Sequence, residues 1–374
     1  MQATELEFEM GDSIRRVVIK QIRRVVIKQD ERGKGVVFLD DEATLVKWTG
    51  AKAAGAVMWS TAEVPADNSD LDLDGYRRNV GVALYGGSAF RITEFGPGYD
   101  TPMHRTLSVD YCFVLSGELE LILDSGQGVT LCKGDAVVQR GTRHAWRNNG
   151  TDPRRLAVCM IEASPVVIDD RVLRATPLPR VIVASLAIAL NPKRQRRSYA
   201  VLRESRCSQF SHAQCVVTSH DRSRHAVIDR IETSFAPSYA MDGVSEIEIW
   251  RTATVPPSNI GKPEFRIPKR GRHLAGGSSF GVLTLARGSS TGDIHTDSID
   301  YCLILEAKPI SNSIPAFRST FAQANRLCSG ECAIAGGIGV RPSSRLLIFS
   351  IPSRSRIPAP ANVRSVSHTP VATP

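Results

Sequence analysis

The sequence predicts an all-β fold in which short strands close into a barrel. Leu119, Leu121 and Leu123 alternate with Glu120, Ile122 and Asp124, with the two-residue period of a strand. Clusters rich in Asp, Ser and Gly interrupt the strand-like segments at short, even intervals. Several short strands separated in this way are typical of a β-barrel or a β-sandwich.

The predicted elements follow one another with a turn at each junction. The cluster at 124–128 predicts a hairpin turn. Four glycines are assigned to turns that need a positive φ or a close backbone approach, namely Gly98, Gly117, Gly134 and Gly141. The strands predicted between the turns lie at 104–110, 119–123, 129–131 and 136–138.

The first predicted strand carries a polar row. Successive side chains of a strand point to opposite faces, so every second residue shares a face. The members of the row are His104, Thr106, Ser108 and Asp110, and Arg105 lies on the opposite face. This row is predicted to point into the barrel.

The spacing of residues 98–117 resembles the first sequence motif of the cupin superfamily. That motif has the order Gly, His, His, Glu, Gly, and Gly98, His104 and Gly117 match it. Thr106 stands at the second His position and Asp110 at the Glu position. Both departures weaken the prediction of a metal site.

The second cupin motif is matched by Gly134, His144 and Asn148. The resemblance covers residues 14–168 well and 216–305 in part, and it is to single-barrel microbial cupins, which occur in bacteria and in fungal secondary-metabolite clusters. It implies a double-stranded β-helix (jelly-roll barrel), frequent dimerisation and a small-molecule site inside the barrel. It does not imply one reaction, because this fold carries many.

A long internal repeat organises the chain as a tandem duplication. In the second copy Ile294 stands opposite His104, and no second histidine motif follows. The sequence therefore predicts a bicupin-like protein whose second barrel is incomplete and has no active site. The matching pairs are 59–68 with 250–259, 86–90 with 276–280, and 106–112 with 296–302.

Five segments are predicted from these features. The N-terminal arm holds a duplicated octapeptide, which occupies residues 14–21 and again 22–29. The segments are an arm at 1–29, barrel 1 at 30–168, a basic linker at 169–215, a partial barrel 2 at 216–307, and a low-complexity, disordered tail at 308–374.

The net charge of +9 is carried by the second half of the chain, because residues 1–170 contain 20 Lys+Arg and 25 Asp+Glu. The basic cluster at 193–197 has no accompanying aromatic stacking residues, so a solvated linker is predicted rather than a nucleic-acid site. The most apolar run, 181–190, is half of the ~20 residues that cross a bilayer, which predicts no membrane partner. Without an export signal, the eight cysteines predict reduced thiols and a cytoplasmic location.

Three functional hypotheses remain open. In the first, His104, Asp110 and His144 hold Fe(II), Mn(II) or another divalent metal for an oxygenase or decarboxylase. In the second no metal is bound, and His104 or His144 moves a proton for a dehydratase or an isomerase while Asp110 orients it. In the third the barrel binds a small molecule without catalysis, or is a relic.

In the enzyme hypotheses the substrate is an aromatic or polyketide-like molecule. Trp146 is predicted to form an apolar wall, although barrel core is an equally good interpretation of it. A homodimer is predicted from the resemblance alone. The predicted substrate-binding residues are Thr106, Ser108, Tyr111 and Trp146.

Overall fold

The computed structural model confirms the all-β prediction: its described residues form strands and loops, and no α-helix occurs among them. In that part of the chain there is accordingly no helix long and apolar enough to span a membrane. The described residues are 4–8, 15–19, 21–30, 34–47, 52–67, 75, 78, 86–176, 213–241, 243–259, 276–286, 289, 296–306 and 344–354.

The structure contains twenty-three strands in its described residues. Strands β1 to β8 are Thr4–Phe8, Arg15–Ile19, Gln21–Gln29, Gly35–Thr44, Val46–Lys47, Ala53–Thr61, Ala66–Asp67 and Ser88–Phe95. Strands β9 to β16 are Ser108–Val114, Glu118–Leu123, Gly128–Cys132, Ala136–Arg140, His144–Arg147, Arg154–Glu162, Val167–Ile168 and Arg171–Val172. Strands β17 to β23 are Cys215–His220, Ala226–Glu232, Tyr239–Met241, Val244–Arg251, Ser279–Leu285, Ser298–Glu306 and Ser344–Arg354.

Barrel 1 is built from an eight-stranded and a three-stranded sheet. The larger sheet has the order β18-β17-β12-β9-β14-β8-β6-β5, and the smaller has the order β11-β10-β13. Alternate residues of β10, Leu119, Leu121 and Leu123, are fully buried in one apolar cluster with Trp146. The four glycines predicted to lie in turns all have a positive φ, which confirms the turn assignments of the sequence.

The second copy repeats half of barrel 1. Its strands β20, β21, β23 and β22 are neighbours in that order, as β6, β8, β14 and β9 are in the first copy. A register shift between Val57 and Trp59 recurs between Glu248 and Trp250. No counterpart of β10 to β13 lies in the described part of the second copy, so only one sheet of a second barrel is present there.

The two copies pack face to face with approximate two-fold symmetry. The Tyr111 hydroxyl bonds Ser278 Oγ at 2.8 Å, and the equivalent Tyr301 hydroxyl bonds Ser88 Oγ, also at 2.8 Å. Tyr111 also stacks on Phe280, with 5.3 Å between ring centroids. One apolar cluster therefore joins both copies, which is the arrangement of an isologous dimer within a single chain.

Two of the predicted segment boundaries differ from the structure. Strand β17, from the second copy, pairs in parallel with β12 of barrel 1, so the β17–β18 hairpin completes the first sheet rather than a second barrel. Strand β23 lies between β21 and β22, although the predicted tail includes its sequence. Both segments were misassigned because each pairs with strands that are distant in sequence. Which strand covers a free sheet edge is decided by the tertiary structure and not by a local sequence pattern.

Several expectations concern other parts of the chain. The first octapeptide copy contributes β2, which pairs with β1, and the second contributes β3, which pairs with β4. The predictions for the basic cluster at 193–197, the apolar run at 181–190 and Ile294 lie outside the described residues. Cys132 is disulfide-bonded, which corrects the prediction that every thiol is reduced, whereas Cys112, Cys159, Cys215 and Cys302 are free.

Candidate functional site

The structure brings His104 and His144 together, as their motif positions predict. The two backbones form an isolated antiparallel bridge, with each N–H donating to the other residue's carbonyl at 2.9 Å. Directly opposite residues of such a pair project their side chains to the same face. The two imidazole ring centroids accordingly lie 4.4 Å apart.

Both imidazoles are fixed in the same tautomer by the backbone. His104 Nδ1 lies 2.9 Å from the Pro102 carbonyl oxygen, and His144 Nδ1 lies 2.9 Å from the Thr142 carbonyl oxygen. A carbonyl oxygen only accepts hydrogen bonds, so each Nδ1 must carry the proton and donate. In the neutral form each Nε2 therefore keeps its lone pair and is able to accept a proton or coordinate an ion.

Both rings are neutral at neutral pH. Burial, together with the neighbouring His104 and Arg105, lowers the pKa of His144 to about 3, against the Thr142 carbonyl. Burial also lowers the pKa of His104, against the Pro102 carbonyl, although this ring is only half-buried in the fold. Because a proton on one ring repels a proton on the other, the pair is expected to carry at most one.

Asp110 is not joined to the histidines. Its carboxylate accepts hydrogen bonds from Ser108 Oγ at 2.5 Å and from Thr106 Oγ1 at 3.3 Å. Burial raises the pKa of Asp110 to about 6, and these two hydroxyls and the nearby Arg91 oppose that rise. Thr106 and Ser108, predicted to bind substrate, are thus engaged with the carboxylate.

The second copy repeats this hydrogen-bonded group although its histidine motif is missing. Ser298 Oγ donates to Asp300 at 2.8 Å, and Thr296 Oγ1 donates to the same carboxylate at 3.4 Å. A hydrogen-bonded carboxylate that occurs in both copies is better explained as part of their common architecture than as part of a catalytic site. The prediction that Asp110 orients a catalytic histidine is therefore corrected, because its carboxylate accepts from Ser108 and Thr106 and no hydrogen bond among the described residues joins it to either histidine.

Two predicted substrate contacts also have structural roles. Tyr111 is fully buried and faces the second copy, where it bonds Ser278, so its assignment to a substrate site is corrected. Trp146 packs with the barrel 1 leucines and is 4% exposed, in agreement with its interpretation as core. Asn148 ends its strand as expected, since its Nδ2 donates to the carbonyls of Phe95 and Asp152 at 2.9 Å.

Two further polar residues near Asp110 have no motif that predicts them. Gln139 is the register partner of Asp110 and is 2% exposed, and its Nε2 is buried without a hydrogen-bond partner. Its Oε1 accepts a 3.6 Å bond from Cys112 Sγ. Arg91 is 9% exposed, and burial lowers its pKa to about 10 while the Asp110 carboxylate opposes this. The sequence signalled Gln139 and Arg91 only by placing a polar residue within a strand.

The arrangement does not match a three-ligand metal centre. No group of three His, Cys, Asp or Glu side chains is placed to hold a metal ion in the described ranges. His104 and His144 supply two nitrogen donors with carbonyl-bound Nδ1 atoms, as metal-binding histidines commonly have. Asp110, the predicted third ligand, is bound by Ser108 and Thr106 instead.

The site lies within a region similar to known proteins. Residues 91–161 match the cupin domain family. The cupin-domain-containing oxidoreductase virC of Hypocrea virens is 38% identical over 37% of this chain and 74% of its own length. The cupin-domain-containing oxidoreductase srdD of Neurospora crassa is 33% identical over 40% of this chain and 79% of its own length.

Other similarities are more limited in length or in geometry. Phomopsin biosynthesis cluster protein C' of Diaporthe leptostromiformis is 48% identical, over 25% of this chain and half of its own length. A glyoxylate-induced protein of Pseudomonas aeruginosa covers 83% of this chain and 85% of its own, with 11% identity and a TM-score of 0.39.

Proposed function

Because this chain belongs to the cupin superfamily, we propose that barrel 1 is the active site of a secondary-metabolism enzyme acting on an aromatic or polyketide-like small molecule. The observation that carries the proposal is the pair of imidazoles, 4.4 Å apart, whose Nδ1 atoms are both bound to backbone carbonyls. Relatives from fungal biosynthesis clusters support the metabolic setting.

In this proposal the histidine pair moves a proton. His104 is the less buried ring, so it takes the proton from the substrate at Nε2. His144 is buried, with 3% of its surface exposed, and stays neutral, and its Nε2 accepts a hydrogen bond that orients the substrate or the protonated partner ring. Isomerisation and dehydration both require this removal of a proton and its return at another atom.

The residues around Asp110 support an oxygen-bearing substrate. Gln139 Nε2 is a buried donor without a partner, and leaving such a group unbonded costs roughly 1–3 kcal/mol. A carbonyl or phenolate oxygen of the substrate would satisfy it. The buried Arg91 cation would stabilise negative charge that develops on that oxygen when the proton leaves.

A metal-dependent oxidoreductase is the second candidate. The relatives virC and srdD are named oxidoreductases, which supports the redox part of this candidate. Two histidines with carbonyl-bound Nδ1 atoms also suit a metal, although the third protein ligand is missing from the described residues. If a divalent metal is bound, it would supply Lewis-acid or redox chemistry, and His104 and His144 would hold it.

Deuterium exchange tests the proton-transfer proposal. The full-length protein is incubated in D₂O with a panel of aromatic ketones and β-diketones, and loss of C–H signal is followed by proton NMR. His104→Gln and His144→Gln are expected to slow exchange by roughly 10²-fold or more. His225→Gln is the control, because this histidine is 55% exposed and lies on the turn between β17 and β18.

The outcomes separate the hypotheses. Exchange that depends on both histidines in protein free of bound metal supports the proposal. A stoichiometric divalent metal, lost in both variants by elemental analysis, would favour the oxidoreductase. Panel compounds that bind without exchange in wild-type protein would favour the non-catalytic module.

A further inference from the structure

The junction between barrel 1 and the second copy brings a third histidine toward the barrel. Strand β17 follows β12 in parallel, and Thr218 Oγ1 bonds Thr142 Oγ1 at 2.9 Å. The Arg140 N–H also donates to Thr218 Oγ1, at 3.3 Å. His220 ends β17 two residues later, beside the loop that leads to His144.

One ring nitrogen of His220 is hydrogen-bonded, and the other has no hydrogen-bond partner. A hydrogen bond with the Gly141 backbone holds the ring, while its Nε2 is buried and has no hydrogen-bond partner. Burial, together with the guanidinium groups of Arg105 and Arg140, lowers the pKa of His220 to about 4, against Asp221 and the Gly141 backbone. The ring is therefore neutral, half-buried and close to two cations.

Arg105 is the buried cation of this junction. It is 8% exposed, and its Nε is buried without a hydrogen-bond partner. Burial lowers the pKa of Arg105 and Asp124 opposes this, but none of the ion pairs among the described residues joins Arg105 to Asp124 within 4 Å. Arg143 contributes further positive charge nearby. A buried charge is normally paired, because its desolvation is otherwise costly.

We propose that Arg105 and His220 form a binding site for a small oxyanion, a phosphate or a carboxylate, at the junction between the two copies. The Arg105 guanidinium donates to the anion, and His220 binds it through a proton shared at Nε2, carried either by the ring or by the ligand. Each copy contributes one of the two residues, so the second copy completes this site although its own barrel is incomplete.

This site is separate from the proposed chemistry. Arg105 neighbours His104 in sequence, but successive residues of extended backbone point to opposite faces, so its side chain leaves the face that carries the histidine pair. The proposed proton transfer uses neither Arg105 nor His220. Failure of one proposal therefore leaves the other unaffected.

Calorimetric titration of the full chain with inorganic phosphate tests the site, and a parallel titration with acetate separates the two anion classes. His220→Gln and Arg105→Gln are each expected to weaken binding of the preferred anion by roughly tenfold or more, since hydrogen bonds to charged groups are lost. His225→Gln and Arg222→Gln, on the turn of the same hairpin, should bind like the wild type.

A second measurement keeps the test decisive if a variant fails to fold. In the wild-type protein, the bound anion should raise the pKa of His220 from its low value, as followed by NMR of the imidazole signals. Unchanged anion affinity in a folded His220→Gln protein overturns the proposal. The proposal is also overturned if the His220 signal titrates identically with and without either anion at roughly 20 times its dissociation constant. It is overturned as well if neither anion binds the wild type at ~10 mM.

Discussion

His144 is expected to link stability to pH. Its imidazole is neutral when buried, with a pKa of about 3, whereas an unfolded histidine titrates near 6.5. Between these values the unfolded chain binds a proton that the folded chain does not. Its contribution is therefore complete above pH 6.5 and is lost as pH falls toward 3, by on the order of a few kcal/mol.

Denaturant unfolding of the wild type and of His144→Gln at several pH values measures this contribution. Asp110 opposes it, because its raised pKa makes the folded state bind more protons between 3.8 and about 6. The difference between the two proteins removes that opposing effect. A difference in unfolding free energy that stays constant from pH 7 to pH 4 would show that His144 is not buried as a neutral ring.

Asp110 and Asp300 are expected to behave alike toward substitution. Each carboxylate accepts hydrogen bonds from a Ser two residues before it and a Thr four residues before it. Asp110→Asn and Asp300→Asn should each lower the unfolding free energy by ~1–3 kcal/mol, measured by urea unfolding. If Asp110→Asn left stability unchanged but abolished proton exchange, the assignment of Asp110 to the common architecture would be wrong.

The β17–β18 hairpin is expected to stabilise barrel 1 through the buried face of β17. Val217 is fully buried, whereas Ile231 on the neighbouring strand is 37% exposed. Val217→Ala removes two carbon atoms from the core and should cost about 2 kcal/mol of unfolding free energy. Ile231→Ala, the matched control, should cost less than half of that in the same measurement.

The location of that loss is also informative. Because β17 pairs with β12 inside the first sheet, Val217→Ala should lower the unfolding midpoint reported by Trp146 fluorescence in barrel 1. A change of midpoint seen only with probes in the second copy would contradict the assignment of the β17–β18 hairpin to the sheet of barrel 1.

Across the whole molecule, the second copy covers one face of barrel 1 with a surface of its own kind. The reciprocal bonds of Tyr111 with Ser278 and of Tyr301 with Ser88 show that like surfaces meet. We expect that the full chain does not dimerise through this face, because the second copy already covers it. A fragment of residues 1–176 should form homodimers, because two first copies present the same surface to each other.

Light scattering of the fragment and of the full chain tests this expectation. Tyr111→Glu in the fragment should prevent dimerisation, since it would bury an unpaired charge at the centre of the interface. A fragment that stays monomeric and folds cooperatively would show that barrel 1 does not need the covered face.

Much of the fold was predictable from local patterns. The turn glycines and the two histidine motifs each depend on short stretches of sequence, and both predictions agree with the structure. The alternation at Leu119–Leu121 predicts the strand but not the burial of both its faces, because Glu120 and Ile122 are buried as well. The tandem repeat also indicated two related units. Motif spacing indicated that His104 and His144 meet, although the strand predicted from residue 104 begins only at Ser108 and His104 lies before it in an isolated bridge to His144.

The sequence by itself determined the strand pattern, the duplication and the identity of the histidine pair, since these follow from backbone periodicity and turn chemistry. Only the tertiary structure decided that Asp110 bonds to Ser108 and Thr106, that Tyr111 faces the second copy, and that His220 reaches barrel 1. The physical reason is that pairing between distant strands depends on barrel closure and on covering exposed edges, and no local sequence pattern encodes either of these.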